Sequence, residues 1–74
     1  MPKKSSLLVQ FGEIIREIRK GREMSQEELA DKAGLHRTYI GMIERGEKNL
    51  TLENINKLSK ALQIPMHELF KKIR

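Results

Sequence analysis

Gly34 sits between two short helical patterns, and that placement constrains the chain more than any other feature of its sequence. Ahead of it, Ser25 stands where a helix cap belongs, with Glu28 at capping-box spacing and Met24 and Leu29 at staple spacing. Leu29, Ala30 and Ala33 then fall on one face. Glycine suits a helix end that must turn left-handed, because it has no Cβ to clash. Leu35 follows as a buried anchor, and a second helix is predicted from near His36 to about Arg45, with Ile40, Ile43 and Glu44 inward. The whole stretch over residues 25–46, SQEELADKAGLHRTYIGMIERG, requires two short helices that cross steeply. Alanine lets them approach, glycine turns the chain, and isoleucines pin the second helix to whatever lies beneath.

Around this unit the rest of the chain reads as helix too. Leu7, Leu8, Phe11, Ile14, Ile15 and Ile18 recur at the spacing of an amphipathic stripe, with Glu13, Arg16, Glu17 and Lys20 opposite. Ser5 or Ser6 can cap this first helix, which should end near Gly21. Ahead of it lies a short basic tail over residues 1–6 carrying Lys3 and Lys4; it can follow a phosphate backbone or simply fray. Thr51 caps a fourth helix, with Leu50 and Ile55 at staple spacing and Leu52, Ile55, Leu58 and Leu62 as its inner stripe beside the small Ala61. Pro65 is expected at the first position of a last helix over about 65–73. One monomer readily covers Leu69 and part of Phe70 there. Ile64, Met66, Phe70 and Ile73 together leave an apolar surface whose simplest partner is a second copy of the chain, giving a homodimer. No strand pattern, repeat or linker interrupts this, so the fold class is all-α and residues 1–74 form one domain.

Composition narrows the functions. Seventy-four residues support only a small core, which oligomerisation can supplement. There is no cysteine, hence no disulfide framework and no thiolate metal site, as suits a reducing cytoplasm. His36 and His67 are the only histidines and their spacing fits no zinc pattern, so no metal is expected. The apolar run at residues 7–9 is too short for a signal peptide or a membrane span. No nucleophile–base–acid set and no phosphate-cradling glycine loop is present, so neither an enzyme nor a cofactor is expected, and no small-molecule ligand is evident. A net charge of +5 favours a polyanionic partner.

Gln26, Leu29, Ala30, Ala33, Gly34, Leu35, Ile40, Ile43, Glu44 and Gly46 fall where the lambda-repressor/Cro-like (Xre-type) helix–turn–helix family has its pattern. The run GLHRTYIGMIERGEKNLTLENI resembles more narrowly the small controller proteins of bacterial restriction–modification systems. The resemblance covers residues 11–70 and implies a five-helix DNA-binding domain. It also implies a cytoplasmic, nucleoid-associated regulator that acts on its own gene and a restriction gene, activating at low dose and repressing at high dose. In this family an arginine late in the first helix bonds a glutamate late in the recognition helix; Arg19 and Glu44 fill both positions. The family usually places glycine just before the apolar residue that precedes the second helix. Glu23 stands there instead, and Gly21 is expected to take over the left-handed cap.

On a wheel of about 100° per residue, Ile40 and Ile43 mark the inner face of the recognition helix. Thr38, Gly41, Met42 and Arg45 point outward, with Arg37 and Tyr39 at the N-terminal end, where such helices meet base edges. Arg37 can grip guanine O6 and N7 with its fork, and Thr38 suits a phosphate or a thymine methyl. Gly41 leaves room for close approach to the groove wall. Tyr39 either meets the DNA or packs on the second helix, and Met42 either touches thymine methyls or is incidental. Ser25 and Gln26 at the start of the second helix can hold a phosphate beside free backbone N–H groups. His36 is a poor cap and can reach a phosphate instead. Arg45, Lys48 and Asn49 complete the backbone candidates, Lys48 having the alternative of an ordinary solvated loop charge. A homodimer presents two such helices, so its double-stranded DNA operator is expected to be near-palindromic. An antitoxin, or a protein-interaction adaptor, is the competing reading, because fold alone does not fix function.

Overall fold

The computed structural model describes residues 6–74. Its elements are α1 (Ser6–Gly21), α2 (Gln26–Ala33), α3 (Arg37–Glu44), α4 (Leu52–Leu62) and α5 (Met66–Lys71), with no strand among the described residues. Of the basic tail, Lys3 and Lys4 lie outside the described residues, as does the cap candidate Ser5; Ser6 is already the first residue of α1.

The stripe of α1 is inward as its spacing requires: Phe11, Ile14 and Ile15 are buried, and Ile18 packs at the edge of the core. Glu13, Arg16, Glu17 and Lys20 face solvent. The helix ends at Gly21, but Gly21 is not the left-handed residue. Glu23 is, at φ 56°, in the position where the family places glycine, and the N–H of Met24 turns back to the Arg19 carbonyl at 3.1 Å. The other connections close the same way. Gly34 (φ 69°), Gly46 (φ 71°) and Gln63 (φ 56°) are left-handed, and the N–H groups of Leu35, Glu47 and Ile64 reach back to Ala30, Met42 and Ser59. A side chain in this conformation costs of order 1 kcal/mol, so Glu23 and Gln63 are held there by what surrounds them.

α2 starts with a complete capping box: Ser25 Oγ accepts from the Glu28 N–H, and the Glu28 carboxylate accepts from the Ser25 N–H, each at 3.0 Å. The Ser25 backbone first, and its side chain second, hold the Glu28 carboxyl below the ordinary glutamate range. Thr51 caps α4 by accepting from the Asn54 N–H. Pro65 stands one position earlier than expected, as the cap of α5 rather than its first residue, and α5 stops at Lys71 with Ile73 beyond it.

α3 packs on α2 and α1, α4 lies against α2, and α5 closes over α4 and α1. Ile15, Leu29, Ile40, Ile43, Leu58, Leu62 and Leu69 meet in the centre, fully buried. Leu35 is only half-buried at the rim of this core, a weaker anchor than expected. Leu52 overturns its assignment to the inner stripe of α4: it is 73% exposed. It is the first residue of α4, and Leu58 and Leu62 further along the helix carry the packing.

Gly12 sets how closely α3 can lie on α1. A Cβ there would collide with the backbone carbonyls of Ile43 and Glu44, at 2.8 Å from the Glu44 oxygen. A helical glycine normally weakens a helix relative to alanine. Here the order is reversed: Gly12→Ala should lower stability by about 1–3 kcal/mol by prying α3 off α1, read as an earlier urea midpoint. An unchanged or later midpoint would contradict the close crossing.

Candidate nucleic-acid interface

α3 owes its orientation to a buried polar knot at its C-terminal end. Arg19 donates from Nε to Glu44 Oε2 at 2.7 Å and from a terminal nitrogen to Oε1 at 3.1 Å, and its third nitrogen donates to the Met24 carbonyl at 2.7 Å. The two side chains are only 10% and 3% exposed. The guanidinium thus joins α1, the α1–α2 connection and α3 at one point. Gln26 joins it from α2, donating from Nε2 to Glu44 Oε1 at 3.1 Å. One of the two amide hydrogens of Gln26 is therefore engaged inside the protein, leaving the other and the carbonyl oxygen for a partner.

The outer edge of α3 is open. Arg37 and Thr38 are exposed, and with Gln26, Gly41 and Arg45 they line one shallow concavity. Gly41 is not the open notch expected from the wheel. It is buried beneath the Arg45 side chain, and a Cβ there would come within 3.1 Å of that guanidinium. Arg45 is also paired through Nε with Glu47 at 3.1 Å, both side chains being substantially exposed. An exposed pair of this kind contributes little to stability by itself. The helix wheel gives no hint of Glu47, which lies beyond the helix.

His36 is the N-cap of α3 and makes no side-chain cap bond, as expected of histidine. Its imidazole is exposed beside Arg37. Met42 is half-buried. The Tyr39 ring packs half-buried against the core, while its hydroxyl accepts a 3.0 Å hydrogen bond from Asn54 Nδ2 of α4, a partner neither reading of it included. No sequence signal marks Asn54, since its partner is fifteen positions away. Lys48 and Asn49 are exposed in the loop after α3. Ser25 uses its hydroxyl oxygen in the capping box, keeping the hydroxyl proton for other work.

An apolar groove is bordered by Leu7, Leu8, Phe11, Leu50, Phe70 and Ile73, with Asn49 of the loop after α3 also lining it. Phe70 is 42% exposed, its ring 6.2 Å from that of Phe11, and Leu7 is 56% exposed. Of the other residues assigned to a self-contact, Ile64 and Ile73 pack partly against the core of the monomer and Met66 is half-buried. The exposed apolar surface therefore lies more towards Leu7 and Phe70 than towards Ile64.

No helix among the described residues is long and apolar enough to cross a membrane. The family model described as helix-turn-helix matches residues 15–69. Among curated proteins, the chain is 52% identical over 60 residues to control protein C.BamHI of Bacillus amyloliquefaciens, covering 80% of this chain and 74% of that one. It is 37% identical to control protein C.MunI of a Mycoplasma species, covering 93% and 95% respectively. Among solved structures, the restriction-modification controller protein C.AhdI of Aeromonas hydrophila superposes with a TM-score of 0.84 at 51% identity, over 85% of this chain and 96% of that one. The controller C.Esp1396I, solved as a tetramer in complex with its natural 35 base-pair operator, does so with a TM-score of 0.83 at 40% identity, over 93% and 96%.

Proposed function

This chain belongs to the helix-turn-helix family, and from that premise we propose that it is a homodimeric, sequence-specific DNA-binding regulator of transcription, the controller of a restriction–modification system. The observation that carries this reading is the exposed Arg37–Thr38 edge of α3, backed by fully buried Ile40 and Ile43 and locked at its far end by Arg19 and Glu44. A helix presented this way can lay its N-terminal side chains against base edges in the major groove, with a second copy reading the next half-site about 34 Å away. Arg37 and Thr38 supply base discrimination, with Tyr39 and Met42 at the flank. Ser25, Gln26, His36, Arg45, Lys48 and Asn49 set register on the phosphates.

The direct test is selection of bound sites from random duplexes. A near-palindromic half-site repeated at about one helical turn is expected; recovery of no preferred sequence would refute the reading. Self-association is checked separately. Sedimentation at micromolar concentration should give twice the 8.6 kDa mass of one chain. Leu7→Asp, placed on the exposed lip of the apolar groove, should shift that species towards monomer while leaving the helical content intact. A dimer indifferent to Leu7→Asp would move the interface elsewhere.

A further inference from the structure

We propose that Asn54 is a positioning residue for DNA recognition, acting through Tyr39. The proposal rests on the reading of α3 as the DNA-contacting helix and extends it to a side chain on α4. Asn54 is itself fixed: its backbone N–H is bonded to the Thr51 cap at 3.1 Å, so its side chain leaves the helix at a set point. From there Nδ2 donates to the Tyr39 hydroxyl at 3.0 Å. A phenol oxygen both donates and accepts. With Asn54 donating to it, that proton points away from the amide and is available to another acceptor. The ring packs half-buried against the core, and the hydroxyl is tied to α4 through Asn54. Asn54 thereby converts a rotating hydroxyl on the flank of α3 into a one-directional donor, aimed at an oxygen acceptor on the DNA. That acceptor is either a phosphate oxygen or a base carbonyl.

Tyr39 is the one tyrosine of the chain and there is no tryptophan, so tyrosine spectroscopy reports on this residue alone. In the free protein, the intensity ratio of the tyrosine Raman doublet, which rises when the phenol oxygen accepts, should fall in Asn54→Ala. A free protein whose phenol already reads as a donor, or an unchanged ratio in Asn54→Ala, overturns the proposal without involving DNA. In binding assays on a selected duplex, Asn54→Ala and Tyr39→Phe should each weaken affinity by about 3- to 10-fold, the loss of one neutral hydrogen bond. The double variant should be no weaker than Tyr39→Phe. If Asn54→Ala costs the same in the Tyr39→Phe background, or nothing in the wild-type background, Asn54 does not act through Tyr39 and the proposal fails. A Tyr39→Phe variant that binds like wild type while Arg37→Ala does not sinks this inference and leaves the DNA reading standing. Failure of the wild-type protein to bind any duplex sinks both. A loss confined to one base position identifies a base carbonyl as the acceptor, and a uniform loss across sequences identifies a phosphate.

Discussion

Arg19→Ala should cost about 3–5 kcal/mol of folding stability, the penalty for leaving a buried charge without its partner. A small domain has only about 5–15 kcal/mol to lose, so this one substitution removes a large fraction of the total. The expected readout is a fall of many degrees in the melting temperature followed by helical circular dichroism. The physical cause is specific. The Glu44 side chain is 3% exposed and would keep only the amide of Gln26, while the Met24 carbonyl would lose its donor at the α1–α2 connection. Arg19→Lys should recover part of the loss, since a single ammonium cannot make the forked contact and the third bond together. Replacing both partners with apolar residues of similar volume should recover more, because no charge is then stranded. That double variant separates stability from function: if the ion pair fixes the orientation of α3, the protein should fold and still bind its site poorly. A melting temperature indifferent to Arg19→Ala would show that the pair holds nothing together.

Arg37→Ala should act on discrimination. Loss of a bidentate contact to guanine is worth about 1–3 kcal/mol at one base position, and the preference there should relax in each half-site while neighbouring positions keep theirs. Arg37 is exposed, so folding should not change. Lys48→Ala supplies the contrast. As a loop charge it should weaken all duplexes alike and reduce the salt slope by about one. If Arg37→Ala also weakens every sequence equally, Arg37 sits on the backbone and the base contacts must come from elsewhere on α3. The two variants together sort contacts that position from contacts that specify.

Residue order along the chain was enough to place the helices. Ser25, Glu28, Gly34 and Thr51 mark helix ends through bonds to residues three or four positions away, and the stripe from Phe11 to Ile15 recurs within a few turns. Such features are local, and their chemistry is complete before the chain folds back on itself. The family resemblance added the Arg19–Glu44 pair, which spacing alone does not reveal across twenty-five positions. What only the tertiary structure decided is which groups meet. Glu23 and Gln63 adopt a backbone conformation that their side chains disfavour, because closing α1 and α4 there lets the following segments pack. Leu52 is left outside although helical spacing places it on the inner stripe of α4, and Ile64, assigned to a self-contact, is drawn partly into the core. Gly41 is roofed by Arg45, Gln26 is tied to Glu44, and Tyr39 to Asn54. Periodicity says which side of a helix is apolar. How much of that side is covered, and which polar atom finds which, depends on elements distant in sequence, and their approach is settled by packing as close as Gly12 against the backbone of α3.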